Sequence, residues 1–258
     1  MLVLACAGGP DYKGGIDGDR LDDGPGPSRD GRSSERRAEA DAKLAEVKKI
    51  VILISGLGSN MEAIVATCQS ERWSANVACV IADRPGAAGL QVASLAGVHT
   101  EVVDHRTHGS RVVFEQALAE AIDRYRADCV VLAGFMRVLT ESFVHRYADR
   151  MLNIHPSLLP AFAGLDTHER ALAAGVRAHG ATVHFVSPVV DAGAIVAQAV
   201  VPVRPDDTVE SLSARVLAAE HRLFPRVVGW FVAGRLRLVE GRAIVDEALS
   251  SDTLTVHA

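Results

Sequence analysis

Several things are scarce in this chain of 258 residues. It has four cysteines, Cys6, Cys68, Cys79 and Cys129, none in a CxxC pair and none in a Cys/His cluster with zinc-finger spacing. That excludes a disulfide framework and a zinc-built domain. Cys79 and Cys129 fall in apolar runs and read as buried, reduced thiols, which fits a cytoplasmic protein. No apolar stretch approaches the ~18 residues of a membrane span. Met1–Cys6 faintly resembles a lipoprotein signal but has neither the basic flank nor the apolar length of one. Positive charge is not in surplus, since 27 Lys and Arg stand against 32 Asp and Glu, net −5. Nothing here pulls the protein toward nucleic acid or an anionic membrane, so an anionic ligand must be held by a local site. Internal repeats are absent. What remains is the composition of an ordinary globular protein, 48% hydrophobic and 23% charged, in a chain long enough for one sizeable core.

Residues 1–46 are rich in Gly, Asp, Arg, Ser and Pro and have almost nothing to bury. They are expected to be a disordered extension, with a short helix over 38–47. The abrupt change at Val47 also fits a start site called too early, in which case the extension is not native. A single domain is expected over 47–246, followed by a flexible tail, 247–258.

Within that domain, Ile50–Ile54 is a continuous apolar run ending at a glycine turn, the mark of a strand buried on both faces. A helix is expected from Asn60 to Glu71, and a strand over Val77–Ala82. Next come a helix over Ala88–Ala96, a short strand over Thr100–Val103, a helix over Arg111–Arg126 and a strand over Asp128–Ala133. Further strands are expected at Met151–Ile154, Ala181–Val186 and Ile195–Val201, then a long helix from Val209 to Ala233 and a hairpin turning on Gly241. Strands alternating with helices predict an α/β fold, a doubly wound and mostly parallel sheet flanked by helices, Rossmann-like in its N-terminal half.

Two stretches carry chemistry. Ser55-Gly-Leu-Gly-Ser-Asn60 joins the first strand to the first helix. Gly56 and Gly58 let the backbone approach an anion, and the helix N-terminus favours negative charge. Ser59 and Glu62 have capping-box spacing. A tight strand-to-helix turn with an ordinary cap explains the same residues about as well. The second stretch is Met151-Leu-Asn-Ile-His-Pro-Ser-Leu-Leu-Pro160. Asn153 and His155 alternate with Leu152 and Ile154, so they share one side of a strand end, where open α/β sheets bind ligands. An amide and an imidazole there can donate to a developing oxyanion. Pro156 and Pro160 stiffen the exit. Asp191, on the glycine-containing loop after the next strand, supplies an acid. A structural pair capping the strand end is the plainer alternative, and nothing in the sequence shows that the three residues meet.

These stretches together resemble the glycinamide ribonucleotide formyltransferase family, over roughly Lys48 to Val245. The matching motifs are Ile54–Asn60, Val131-Leu-Ala-Gly-Phe-Met-Arg137, Leu152–Pro160 and His179-Gly-Ala-Thr-Val-His-Phe-Val186 leading to Asp191. No single motif is specific; their order is. The resemblance implies a transferase that moves a formyl group from 10-formyltetrahydrofolate, as co-substrate, to the amine of glycinamide ribonucleotide in purine biosynthesis, with no metal, no nucleic acid and no membrane partner. It implies Asn153, His155 and Asp191 as catalytic residues. Gly56, Gly58, Ser59 and Asn60 would hold the phosphate, and Glu220 would lie near the ribonucleotide. Met136, Arg137, Val138 and Leu139, with Asn153, would line the folate pocket. Protonated His155 and the Asn153 amide would stabilise a tetrahedral oxyanion, Asp191 would support the imidazole cation, and a proton would pass from the attacking amine to the leaving nitrogen. Oligomeric state is not legible.

The chain departs from the family pattern at Asp83, where Asn is usual, at Asp166, where His is usual, and at Leu217, where some members are polar. An anion at 83 is expected to weaken contacts to an anionic substrate. His168, His179 and His184 lack a metal-ligand spacing and read as structural hydrogen-bonding groups. Arg204 reads as part of a solvated turn, Trp230 and Phe231 as core, and Arg106 as a weak candidate for a folate carboxylate. Among other functions, a formyltetrahydrofolate hydrolase would carry a regulatory N-terminal domain that 1–46 is too short and polar to supply. A methionyl-tRNA formyltransferase would add a basic RNA-binding domain. A binding module that has lost catalysis has only Asp83 and Asp166 in its favour.

Overall fold

The computed structural model describes residues 47–246 and the strand 255–257. The extension expected over 1–46 and its short helix lie outside the described residues. β1 (Lys48–Ile54), β2 (Ala75–Ala82), β3 (Thr100–Val102), β4 (Cys129–Leu132), β5 (Met151–His155), β6 (Ala178–Phe185), β7 (Ile195–Pro202) and β10 (Thr255–His257) form one sheet in the order β10-β7-β6-β5-β4-β1-β2-β3. β3, β2, β1, β4 and β5 run parallel, and β6 runs antiparallel to both β5 and β7. β8 (Leu236–Val239) and β9 (Arg242–Val245) make the expected hairpin.

The apolar run of β1 divides by the two-residue period of a strand. Ile50, Ile52 and Ile54 pack into one core, with Met61 of α1 (Ser59–Ser70), Ala93 of α2 (Gly89–Leu95) and a row of α6 (Val209–Val232) that includes Val216, Leu223 and Val227. Val51 and Leu53 pack into the other, with Phe114, Leu118 and Ile122 of α3 (Arg111–Arg124) and Phe143 and Val144 of α4 (Glu141–Arg146). The sheet is therefore covered on both faces, and the expected doubly wound architecture is the one observed.

Two short α-helices and one strand have no counterpart in the sequence expectations, nor does a single 3-10 turn over His105–Thr107. α4 and α5 (Thr167–Ala173) are short and bury few residues, so neither carries a helical apolar stripe. β10 falls in the stretch expected to be a flexible tail, where Thr255–His257 pairs in parallel with Gln198–Val200 of β7. The rest of that tail, 247–254 and 258, lies outside the described residues. The capping box at Ser59 is also not formed. The N-cap of α1 is Gly58, in the left-handed region at φ 76°, with no side-chain cap. A Cβ at Gly58 would sit 2.9 Å from the Gly89 Cα, so glycine is required both by conformation and by close packing. No helix among the described residues is long and apolar enough to cross a membrane.

Candidate active site

The site draws on the carboxyl ends of β1, β4 and β5 and on the loop after β6, which runs antiparallel to β5 and leaves the sheet beside Leu152. At the end of β1 the chain enters the Gly56–Asn60 loop and then α1. Glu62 N–H donates to the Gly58 carbonyl at 2.8 Å. The preceding amides of the first turn have no acceptor within the helix. Ser59 caps nothing, so its hydroxyl is free of the helix. Asn60 is buried, and its Nδ2 donates to Glu220 Oε2 at 2.6 Å, while its Oδ1 is buried without a partner. Glu220 stands on α6, 160 residues away in sequence. Burial pushes its carboxyl up to about 7, with the Asn60 hydrogen bond opposing the shift.

On β5, Asn153 and His155 face away from the core that takes Leu152 and Ile154. His155 is buried, and each ring nitrogen faces an oxygen, one within hydrogen-bond geometry and one at ion-pair distance. Nδ1 lies 3.4 Å from Asp191 Oδ2, and Nε2 lies 3.1 Å from the Phe162 carbonyl. Asp191 itself has left-handed backbone, φ 55°, an uncommon conformation for a residue other than glycine. Its Oδ2 accepts from Gly164 N–H at 2.9 Å. Gly193 follows, and a Cβ there would lie 1.7 Å from the Phe185 carbonyl oxygen, so only glycine lets the loop turn this close to β6. Opposite Asn153 on β6 is His184. Burial holds His184 below its ordinary value, so it is neutral. Its Nδ1 lies 2.8 Å from the Phe185 carbonyl and its Nε2 3.1 Å from Asn153 Nδ2. The tautomer with the proton on Nδ1 satisfies both contacts: it donates to the carbonyl and accepts from the amide. That orients Asn153.

A groove of about 810 Å³ opens over these residues. Asn153, His155 and Asp191 line it, as do Met136, Arg137, Val138 and Leu139. The loop that bears those last four is tied back to β1. Ser55 N–H donates to the Gly134 carbonyl at 3.1 Å, and Ser55 Oγ accepts from Met136 N–H at 2.9 Å. Ser55 thus joins the glycine loop to the groove wall, a role that its place in a glycine-rich motif does not announce. A second cavity, about 310 Å³, shares Met136, Arg137 and Val138 with the groove and continues past Arg111, His105 and His108.

The departures fall as follows. Asp83 is buried at the end of β2, and its Oδ2 accepts from Arg137 Nε at 2.8 Å. Its carboxylate is therefore matched by a cation rather than presented to the Gly56–Asn60 loop, and the expected weakening of anion contacts has no such geometry behind it. Asp166 is exposed at the N-cap of α5, at φ 55°, and its side chain caps nothing. Leu217 lies on α6 one turn before Glu220. Arg106 is held by Asp104 through two side-chain bonds, at 3.0 and 2.8 Å, and lines neither cavity. Trp230 is buried in the core, and Phe231 packs against it. His168 Nδ1 lies 3.2 Å from His179 Nε2. Burial lowers both, His179 to about 4, so they pair as neutral rings. Among the described residues no group of three His, Cys, Asp or Glu side chains is placed to hold a metal ion.

The formyl transferase family model matches residues 48–228. The phosphoribosylglycinamide formyltransferase of Haemophilus influenzae is 43% identical over 200 residues, 78% of this chain and 94% of that protein. The enzyme of the same name from Escherichia coli is 44% identical over 197 residues, 76% of this chain and 93% of its own. Among solved structures, the phosphoribosylglycinamide formyltransferase of Coxiella burnetii is 45% identical, covers 78% of this chain and 94% of its own, and superposes with a TM-score of 0.74.

Proposed function

The chain belongs to the formyl transferase family, and from that premise we propose its reaction and the residues that carry it. It is a phosphoribosylglycinamide formyltransferase, which transfers a formyl group to the amine of glycinamide ribonucleotide in purine biosynthesis. The donor is 10-formyltetrahydrofolate, a co-substrate that carries the formyl group on a nitrogen. The observation that supports the reading most directly is the convergence of Asn153, His155 and Asp191 on one groove, whose Met136 wall is tied to Ser55 at the start of the glycine loop.

The amine nitrogen forms a bond to the formyl carbon, the carbonyl electrons move to oxygen, and the bond from carbon to the folate nitrogen then breaks. Charge develops on the formyl oxygen, so the protein gains rate by holding donors there in advance. Asn153 offers the amide N–H that His184 does not occupy. His155 turns one ring N–H from its present acceptor to the oxyanion. Asp191, fixed by the Gly164 amide, supports the cationic ring and lies where a proton can pass from the attacking amine toward the leaving nitrogen. The groove walls formed by Met136–Leu139 take the folate, and the Gly56–Asn60 loop takes the phosphate. Asn60 and Glu220 lie beside the ribose. At neutral pH Glu220 is partly protonated and is able to accept or donate.

The test is formyl transfer from 10-formyltetrahydrofolate to glycinamide ribonucleotide, followed by the folate absorbance change. Wild type is expected to turn over. His155→Ala is expected to lose ~10²-fold or more in kcat with its melting temperature kept, the cost of one lost oxyanion donor. A folded wild type that does not formylate this acceptor would sink the reading. Unchanged kcat in the variant would remove His155 from the mechanism.

A further inference from the structure

We propose that Arg84 is the counter-cation for the substrate phosphate at the Gly56–Asn60 loop, and that it sets the preference for a phosphorylated over an unphosphorylated acceptor amine. This rests on the reading that the acceptor is a ribonucleotide.

The position of Arg84 is built, not incidental. The residues after β2 are fastened to the loop after β1 by two backbone bonds, Asp83 N–H to the Ile54 carbonyl at 3.3 Å and Gly89 N–H to the Gly56 carbonyl at 3.0 Å. Gly58 and Gly89 are in backbone contact, as the 2.9 Å clash of an added Cβ shows. The Arg84 guanidinium then lies over the loop, with Nη2 3.8 Å from the place a Cβ on Gly56 would occupy. Adjacent residues at a strand end point to opposite sides. Asp83 turns inward to Arg137 and His105, and Arg84 turns out to the glycines.

Charge around the loop leaves Arg84 this task. On the α6 side the groups are Glu220, buried and raised toward neutrality, and Leu217, which is apolar. His221 is held below its ordinary value by burial. Glu62, in the first turn of α1, supplies no positive charge. The helix N-terminus and the glycine amides offer partial positive charge only. A full cation adds to these for a phosphate dianion, and a guanidinium meets it with two parallel donors. Arg84 has no ion-pair partner among the described residues, so it is not already committed. Asn60 Oδ1, buried and without a partner, lies on the same loop and marks a polar interior that a ligand hydroxyl would complete.

The experiment compares wild type, Arg84→Ala and Arg84→Lys on two acceptors, glycinamide ribonucleotide and its dephosphorylated riboside. Arg84→Ala is expected to raise KM for the ribonucleotide about tenfold or more, Arg84→Lys by less, with kcat and the KM for folate within about twofold of wild type. On the riboside all three proteins are expected to coincide, because the interaction removed is with the phosphate. An unchanged KM for the ribonucleotide in Arg84→Ala would overturn the inference, and so would equal losses on both acceptors, which mark a structural role. A wild type inactive on the ribonucleotide overturns the functional reading itself, and the inference falls with it.

Discussion

Glu220 shows how burial of one carboxyl couples folding to proton binding. Its carboxyl is buried against α1, and the ordinary value of 4.5 rises to about 7 because burial disfavours the charged form. The sign of the consequence follows from proton linkage. Between pH 4.5 and 7 the folded protein binds this proton more tightly than the unfolded chain does. The stabilisation is fully present below the ordinary value and is lost as pH rises through the folded one. At roughly 1.4 kcal/mol per unit the loss is on the order of 3 kcal/mol. Glu220→Gln has no such proton to lose. Thermal melts at pH 5 and pH 8 are expected to show the variant gaining several degrees over wild type at pH 8 relative to the comparison at pH 5. A constant difference between the two proteins would show that Glu220 is not held neutral. His184 illustrates the same logic with no charge at all: a buried neutral ring fixes the Asn153 amide by accepting from it.

At the level of elements, the strand exit after β5 holds His155 in place through β6. Thr182, paired across the sheet with His155, donates from Oγ1 to the Ser157 carbonyl at 2.6 Å and accepts there from Leu159 N–H at 3.0 Å. Gln198 of β7 reaches the same hydroxyl and the Leu159 carbonyl. Thr182→Val keeps the shape of the side chain and leaves the Leu159 amide and the Ser157 carbonyl without this partner. A buried pair unmade this way costs ~1–3 kcal/mol each at most. A lower urea midpoint and a several-fold drop in kcat are expected, with the KM for the ribonucleotide unchanged because the glycine loop lies on β1. A variant with wild-type kcat would show that the loop holds without this pin. Motifs made the strand ends readable in advance, yet Thr182 sits inside a motif matched only by resemblance. α4 and α5 are not legible in the sequence for a related reason: each buries too few residues to write a helical period into it.

Across the whole molecule, the two cores share the same strands, since β1 gives alternate residues to each. Neither can be lost without exposing the other, so unfolding is expected to be cooperative. The cysteines report on this. Cys129 belongs to the core that includes α6, and Cys79 to the opposite one, while Cys68 is buried on α1. Burial raises all three thiols, Cys79 to about 11, so at pH 8 they are protonated and inaccessible, the two conditions that suppress thiol reactivity. Ellman's reagent is expected to find these three thiols unreactive in the native protein, and all three are expected to appear at one urea midpoint that matches the loss of far-UV circular dichroism. Separate midpoints for Cys79 and Cys129 would show that the faces unfold independently.

The sequence by itself determined the two-faced sheet, because buried parallel strands must be continuously apolar and glycine must stand where the chain turns against a helix. It also determined which residue types were available for chemistry, and their order matched a known family. Only the tertiary structure decided which of them meet. Asp191 comes to His155 because β6 runs back along β5 and the next loop turns at Gly193, a pairing across 36 positions that no local pattern encodes. Asp83 was legible as a departure, but whether its charge faced the glycine loop or Arg137 depended on how a strand end is twisted against its neighbour. The same holds for Arg84, an exposed cation like many others in the sequence until the packing of Gly58 on Gly89 sets it above Gly56. Local composition governs which elements form; distances between side chains from distant elements arise only when those elements pack.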